Sequence, residues 1–339
     1  MTRTVPVDPP EETVARLSVA PMMAWTDRHC RMFHRQFTAH TRLYTEMVTS
    51  AALVRGGALK LLDHDPAEHP LALQLGGSEP GELAQAARMA EEAGYAEVNL
   101  NVGCPSDRVQ SGTFGAVLMK EPARVAACVA AMAAAVTIPV TVKCRIGVDD
   151  QDPADVLPAF LETLQAAGLR QVTIHARKAW LKGVSPKENR DIPPLDYDLV
   201  YAMARAFPGL SLAINGGIES LDAAEAHLAH MAGVMVGRAA YHRPADLLMD
   251  ADTRLFGAGL QRSREEVLDA MEPYIARHLE GGGSLHQVTR HMLGLYAGQP
   301  GARAWRRILS EGATREGAGF ALLAQARDAV TGAQADAAA

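Results

Sequence analysis

The sequence predicts an α/β fold, a (β/α)8 TIM barrel followed by a small all-helical C-terminal domain. Eight short apolar runs rich in Val, Ile and Leu alternate with longer segments of helical periodicity over about 225 residues, as in a barrel of this type. The apolar runs lack polar alternation, as expected for parallel strands that are buried on both faces. A doubly wound sheet needs only about five or six strands, so we rank it second.

The eight apolar runs are the predicted strands, in chain order Leu17–Met22, Arg42–Met47, Leu71–Gly76, Glu97–Gly103, Pro139–Arg145, Gln171–Arg177, Leu210–Asn215 and Gly233–Gly237. Helical periodicity between them is clear at Pro80–Ala93, Pro122–Ala135 and Pro153–Ala167, and glycines follow the first and third of these helices as stop signals. After about Pro244 the strand pattern ends, and four helices are predicted at Arg264–Glu280, Leu285–Ala297, Ala302–Glu311 and Gly319–Val330. We therefore divide the chain into an N-terminal tail (1–16), a barrel (17–244), a helical domain (245–331) and a disordered tail (332–339).

Composition excludes several classes of protein. The 339 residues carry a net charge of −6, which argues against a protein that holds a polyanion by bulk positive charge. Four scattered cysteines fit neither a disulfide framework nor a metal site, so we predict no metal. There is no run of 18 apolar residues, and the stretch from Met1 to Arg16 has no apolar core, so we expect no membrane association and a cytoplasmic location.

Polar side chains gather at the carboxyl ends of the predicted strands, where barrel enzymes have their active sites. The two-residue period of a strand puts Lys143 and Arg145 on one face, and it puts His175 and Arg177 on one face of the next strand. A lone histidine or lysine on a strand is more often structural than functional. So many polar residues at one end of a barrel are difficult to explain as packing, because buried polar groups are costly unless they are satisfied.

The ends of strands 7 and 8 are the usual phosphate site of such a barrel. Asn215-Gly216-Gly217 and Gly237-Arg238 supply close backbone N–H groups and a guanidinium, which suits a cofactor with a terminal phosphate. No dinucleotide fingerprint follows a strand, so FMN fits better than a bound NAD, and Lys143 would then stabilise the reduced ring at its N1/O2 edge. The residues that we assign to the cofactor are Pro21, Met22, Met23, Gln74, Lys143, His175, Asn215, Gly216, Gly217, Gly237 and Arg238.

Cys104 lies between Gly103 and Pro105 in a turn at the end of strand 4, whereas Cys128 and Cys144 sit in positions typical of buried small residues. It has no cysteine or histidine partner at metal-ligand spacing. An ordinary thiol is mostly protonated at neutral pH and can act as a general acid. This favours the reduction of an activated double bond, with Cys104 as the catalytic residue.

Seven segments together resemble the tRNA-dihydrouridine synthases, and the resemblance covers about residues 17–325. In chain order they are Ala20-Pro21-Met22, Gln74-Leu75-Gly76-Gly77-Ser78, Asn101-Val102-Gly103-Cys104-Pro105, Val142-Lys143-Cys144-Arg145, His175-Ala176-Arg177, Asn215-Gly216-Gly217 and Gly237-Arg238. Two further signatures, residues 175–190 and residues 290–295 with 300–307, are similar to the A-type subfamily. That subfamily acts on uridines 20 and 20a of the tRNA D-loop.

The resemblance implies a bound FMN, NADPH as the co-substrate that reduces it, and a helical domain that binds tRNA. Hydride would pass from flavin N5 to uracil C6, and Cys104 would protonate C5. Asn101 would hydrogen-bond the target uracil, and the family's tRNA-orienting residues fall on Lys187, Arg190, Arg303 and Arg306.

Two basic clusters are consistent with an RNA substrate despite the negative net charge. One is the loop after strand 6, from Lys178 to Arg190, and the other is the helix that carries Arg303, Arg306 and Arg307. We add Arg145, Arg177 and Lys178 to the residues expected to contact tRNA, and we expect the enzyme to act as a monomer. The alternatives are an FMN barrel oxidoreductase that acts on a free pyrimidine or another small molecule, and a non-catalytic RNA-binding protein.

Overall fold

The computed structural model describes residues 14–106, 114–185 and 187–338, and these form a closed barrel of eight parallel strands. The strands are β1 (Leu17–Val19), β2 (Arg42–Thr49), β3 (Leu71–Gly76), β4 (Glu97–Val102), β5 (Val140–Arg145), β6 (Gln171–His175), β7 (Ser211–Asn215) and β8 (Gly233–Val236). Pairing of β1 with β8 closes the barrel, as at Leu17 opposite Val234. The predicted fold class is confirmed, and each predicted strand is present with ends within a few residues of those expected.

Helices pack around the barrel and follow it in the chain. They are α1 (Arg28–Arg35), α2 (Ser50–Val54), α3 (Pro80–Glu92), α4 (Pro122–Ala133), α5 (Pro153–Ala166), α6 (Tyr197–Ala206), α7 (Leu221–Leu228), α8 (Arg238–His242), α9 (Pro244–Leu248), α10 (Arg264–Glu280), α11 (Leu285–Thr289), α12 (Ala302–Gly312) and α13 (Ala321–Ala338). Short 3-10 segments occur at Leu59–Leu62, Pro66–Glu68, Gly115–Lys120 and Glu188–Arg190, and a π-helical turn occurs at Asp252–Phe256.

Local sequence explains where the barrel helices begin and end. Proline occupies the first turn of α3, α4 and α5. It is tolerated there because backbone N–H groups of the first turn have no carbonyl partner within the helix, so proline's lack of an N–H costs no hydrogen bond. Gly94 and Gly168 follow α3 and α5 with φ of 91° each, a backbone conformation that favours glycine and reverses the chain toward the next strand. The apolar faces of these helices pack on the outward-facing side chains of the strands, so that β3, β4, β6 and β7 are buried along their whole length.

Strand register puts the polar residues of the barrel interior at matching heights. Gln74 lies opposite Asn99, which in turn lies opposite Thr141. One layer higher, Asn101 lies opposite Lys143, and one layer above that Arg145 lies opposite His175. The carboxyl ends of the strands therefore bring the chemically active side chains to one rim.

The C-terminal helices differ from the sequence prediction in two places. The expected helix Leu285–Ala297 is helical only as far as Thr289, because the following turns pack closely on the barrel domain: a Cβ at Gly294 would lie 2.4 Å from the backbone oxygen of His242. The last helix continues to Ala338, through most of the tail that we expected to be disordered. Alanine-rich sequence sustains a helix without a buried face of its own.

The predicted N-terminal tail lies outside the described residues except for 14–16. These three residues contact the barrel: the Val14 N–H donates to Ser211 Oγ (3.0 Å), and the Val234 N–H donates to the Arg16 carbonyl (3.0 Å). The domain boundaries stay a prediction. Among the described residues, no helix combines the length and the apolarity needed to cross a bilayer.

The loop between β1 and α1 is tied to the C-terminal helices. Asp27 caps α1 by accepting from the N–H groups of His29 and Cys30, and it also accepts from Arg290 and from His291 Nε2 (3.0 Å). Burial alone would raise the pKa of Asp27, but the hydrogen bond and positive charge of His291, with further donors, lower it below its ordinary value. Trp25 in the same loop stacks on Tyr241, with ring centroids 4.5 Å apart. We call these contacts, those of Asp27 with Arg290 and His291 and that of Trp25 with Tyr241, the loop–helix junction.

Candidate active site at the barrel mouth

A cavity of about 640 Å³ opens at the carboxyl ends of the strands, within the usual size range of small-ligand pockets. All eleven residues assigned to the cofactor line it, and so do Asn101, Cys104, Arg145 and Arg190. The eleven come from the ends of β1, β3, β5, β6, β7 and β8. Segments far apart in sequence therefore converge on one site.

The turn that carries Cys104 is held by the side chain of Asn101. Asn101 Oδ1 accepts from the N–H of Gly103 (3.1 Å) and from the N–H of Cys104 (2.9 Å). Cys104 is partly exposed to the cavity, whereas Cys30, Cys128 and Cys144 are buried. The thiol of Cys104 is thus the accessible one, and its backbone is fixed independently of the sulfur atom.

Two cations from β5 flank this turn. Lys143 Nζ donates to Asn215 Oδ1 (3.1 Å), and the Arg145 guanidinium donates to the carbonyls of Gly103 (3.3 Å), Lys178 (3.0 Å) and Asn189 (2.9 Å). Burial and the nearby Arg145 lower the pKa of Lys143 to about 8. Neither side chain has a carboxylate partner among the described residues, so both keep positive charge available for a ligand.

His175 completes this wall as a neutral ring. Burial, followed by the charges of Arg145 and Lys143, lowers the pKa of His175 well below its ordinary value. An imidazole of this kind can donate one hydrogen bond and accept another, but it adds no charge.

The ends of β7 and β8 form the opposite part of the cavity. Gly216 and Gly217 have φ of 114° and 69°, and a Cβ at Gly216 would lie 2.6 Å from the His175 ring. A Cβ at Gly237 would meet nothing within 4 Å, and α8 begins there without a side-chain cap. Arg238 donates to Asp191 Oδ1 (2.7 Å); its other donors have no partner among the described residues and can bind an anion.

The charge of the lining favours an anionic ligand. Among the described residues, four cations line the cavity against one carboxylate, that of Glu219; the cations are Lys143, Arg145, Arg190 and Arg238. A low-dielectric cleft with one sign of charge strengthens the attraction for a ligand of opposite charge.

The basic loop after β6 is only partly directed at the cavity. Arg190 lines it, but Arg177, Lys178 and Lys187 do not. Arg177 instead donates to the carbonyls of Asp191 and Pro193, which bends the loop back on itself. In this structure Arg177 is therefore a brace for the loop.

Arg303 and Arg306 lie on the exposed side of α12, outside the cavity lining. Trp305 on the opposite side is fully buried, and its Nε1 donates to the Met292 carbonyl (3.0 Å). The buried indole fixes the rotation of α12, so the two arginines must face solvent. Neither forms an ion pair with a described carboxylate.

Sequence reasoning missed three features of the site. Trp25 and Phe114 line the cavity, and Asp191 pairs with Arg238. The sequence position of Trp25, just after Met22 and Met23, is a signal that could have identified it. Asp191 gave no such signal, because its partner lies 47 residues away. Among the described residues, no three His, Cys, Asp or Glu side chains gather as metal ligands.

Comparison with known proteins agrees with this geometry. The family model described as Dihydrouridine synthase (Dus) matches residues 18–332. Curated relatives named tRNA-dihydrouridine(20/20a) synthase are 56% identical over 311 residues in Xanthomonas campestris pv. campestris (92% of both chains), and 56% identical over 313 residues in Vibrio cholerae and Salmonella typhimurium. The latter two alignments span 92% of this chain and 95% and 94% of the relatives. The chain belongs to the dihydrouridine synthase family of flavin-dependent oxidoreductases, which confirms the resemblance.

Proposed function

We propose that this protein reduces the C5=C6 bond of uridines 20 and 20a in the D-loop of tRNA, with NADPH as reductant and FMN as bound cofactor. The observation that carries the proposal is the position of Cys104. Its thiol faces the same cavity as all the residues assigned to the cofactor, and Asn101 fixes its backbone there.

The residues present fit FMN. Gly216, Gly217 and Arg238 offer close backbone approach and a guanidinium for the phosphate. Lys143 has no carboxylate partner among the described residues and would hold the electron-rich edge of the ring system. The cationic lining suits both the phosphate and the negative charge of a reduced flavin.

A flavin held by these residues would, once reduced, supply the hydride for uracil C6. The protein then has to deliver a proton to C5, and the S–H of Cys104 is the accessible donor. The S–H bond breaks as the C5–H bond forms, and solvent later returns a proton to the thiolate. Lys143 and Arg145 beside this turn stabilise negative charge that develops during the transfer.

The substrate proposal rests on cations that lack protein partners. Lys187, Arg190, Arg303 and Arg306 form no ion pair with any described carboxylate, whereas Arg55, Arg243 and Arg254 do. Unpaired surface cations are available to phosphates. A target uracil must leave its stack to enter the barrel mouth, as is general for enzymes that act on a base.

The net charge of −6 limits how tRNA is held. Binding depends on a few local contacts and on shape, so the salt dependence of tRNA affinity is modest. We propose a monomeric enzyme that works in the cytoplasm, where its substrate is.

The test is a comparison of substrates. The purified protein should carry FMN, and NADPH oxidation should follow addition of tRNA that lacks dihydrouridine. Mass mapping of the product should locate dihydrouridine at positions 20 and 20a. Equal turnover of free uridine would instead support the small-molecule alternative, and modification at other positions would contradict the assignment.

A further inference from the structure

A chain of hydrogen bonds runs through the barrel interior from the Cys104 turn to the opposite end. Asn101 Nδ2 donates to Gln74 Oε1, Gln74 Nε2 to Asn99 Oδ1, and Asn99 Nδ2 to Thr141 Oγ1, each at 2.8 Å. Thr141 Oγ1 then donates to Glu97 Oε1 at 2.7 Å. We call these five residues the barrel relay. It spans five residues of β4, from Glu97 to Asn101, or about 13 Å along the strand.

Every donor in the barrel relay points away from Cys104. A carboxylate can only accept, so Thr141 donates its one O–H to Glu97 and must be the acceptor in its bond with Asn99. The same reasoning fixes which end of each amide faces the next one. At the other end, Asn101 is left with its oxygen toward the N–H groups of Gly103 and Cys104, which can only donate.

The carboxylate at the far end is itself held in place. Arg42 and Tyr44, both on β2, donate to Glu97, the tyrosine hydroxyl at 2.5 Å. Burial and the adjacent carboxylate raise the pKa of Tyr44 well above its ordinary value, so its hydroxyl stays a donor. All five relay residues are at least nine-tenths buried, so little water competes for their bonds.

We propose that Glu97 and Thr141 are positioning residues: through the barrel relay they fix the amide orientations of Gln74 and Asn101, and thereby the turn that presents Cys104. Neither residue lines the cavity. Gln74 and Asn101 do, and each has polar capacity left for a ligand after its relay bonds. The catalytic part of this inference rests on the proposed function, while the effect on Cys104 does not.

The test compares three variants of the full-length protein. Thr141→Val removes the hydroxyl with little change in volume, and Thr141→Ser retains the hydroxyl. Thr173→Val is the matched control, because Thr173 is buried on the neighbouring β6 and its hydroxyl forms no hydrogen bond with the described residues. Two quantities are measured: the rate at which iodoacetamide alkylates Cys104, followed by peptide mass, and kcat and KM for tRNA.

For Thr141→Val we expect alkylation of Cys104 at least about threefold faster and kcat about tenfold lower, the effect of one lost buried hydrogen bond. KM for tRNA should stay within about twofold, since the cations assigned to tRNA phosphates, which dominate affinity for a nucleic acid, lie outside the relay. Thr141→Ser should restore both quantities and Thr173→Val should change neither. The proposal would be overturned if Thr141→Val kept the wild-type alkylation rate and kcat. It would also be overturned if Thr141→Ser changed both quantities as much as Thr141→Val does.

Glu97→Gln gives a second test if the valine variant does not fold. The substitution keeps the side-chain volume, but the new amide can donate to Thr141, so the donor directions of the relay are no longer fixed. The same changes in alkylation and kcat are expected, and wild-type values would again overturn the proposal. If the wild-type protein reduced no tRNA, the proposed function would fail. The alkylation rates would still decide the inference about the relay.

Discussion

Replacing Cys104 with alanine isolates the chemistry of a single S–H bond. The turn is held by the backbone N–H groups of Gly103 and Cys104, which donate to Asn101 whatever side chain stands at position 104. The partial exposure of the side chain means that its loss opens no sealed cavity in the core. Cys104→Ala should therefore fold, bind FMN and accept electrons from NADPH as the wild type does.

The expected loss follows from the general-acid role. A positioned acid contributes about 10² to 10⁴ in rate, or roughly 3 to 5 kcal/mol of barrier. Because the thiol faces an open cavity, water can enter the space left by the sulfur atom and donate more slowly. We therefore expect a loss of about 10² to 10³ in tRNA reduction.

The assay separates the two half-reactions. Anaerobic NADPH bleaches the flavin absorbance, and tRNA without dihydrouridine is then added to the reduced enzyme while the return of absorbance is followed. Cys128→Ala is the control, because Cys128 is a buried thiol on α4, outside the cavity lining. Reoxidation of Cys104→Ala by tRNA at the wild-type rate would refute the general-acid assignment.

Three further predictions concern RNA binding, pH and the loop–helix junction. Arg303→Glu or Arg306→Glu should raise KM for tRNA about tenfold and reduce its salt dependence, with flavin reduction by NADPH unchanged. Burial lowers the pKa of His34 in the folded protein to about 3, from an ordinary value of 6.5. Below pH 6.5 the histidine is therefore protonated in the unfolded chain but not in the folded one. The free energy of unfolding should therefore fall as pH drops below 6.5, by about 2 kcal/mol at pH 5. His34→Gln should lack this contribution to the difference between pH 8 and pH 5, as measured by urea unfolding at both pH values. Asp27→Ala should destabilise the protein by roughly 2 kcal/mol or more, measured by urea unfolding at pH 8, since it removes a helix cap and leaves Arg290 without its carboxylate.

Each of these predictions has a control variant or a contrary result. Arg254→Ala is the control for the two arginines, because Arg254 is paired with Asp222 and Glu225; equal loss of flavin reduction and tRNA use would contradict the assignment to tRNA binding. Unchanged pH dependence in His34→Gln would show that another group titrates. A smaller loss in Asp27→Asn than in Asp27→Ala is expected, because the amide oxygen can still cap α1.

The barrel could be predicted because its determinants are local. Each strand is a short apolar run, and glycines such as Gly94 and Gly168 mark the ends of helices. The lining of the site followed from the rule that strand ends meet at one rim, which brought together residues as distant as Gln74 and Arg238. Period-2 alternation also identified the inward side of β5 correctly, since Cys144 is buried outside the cavity.

What the sequence did not reveal depends on contacts between distant segments. Arg177 stays a predicted tRNA contact, but its hydrogen bonds to the carbonyls of Asp191 and Pro193 depend on how residues 187–193 fold back. The helical period of 285–297 was real, yet the Met292 carbonyl accepts from the Trp305 indole and, in a tight turn, from the N–H of Leu295 three residues on. The order of donors in the barrel relay depends on register across β3, β4 and β5, which no single segment specifies.

The loop–helix junction means that the two parts of the chain cannot be exchanged as modules. The loop carrying Met22, Met23 and Trp25 forms one wall of the cavity. Asp27, which anchors this loop, is held by Arg290 and His291, which lie more than 260 positions later in the chain. A chimera that takes its helical part from a relative would inherit a changed cavity wall unless both sides were transferred together. A change in the helical part that alters this junction therefore also alters the wall of the cofactor cavity.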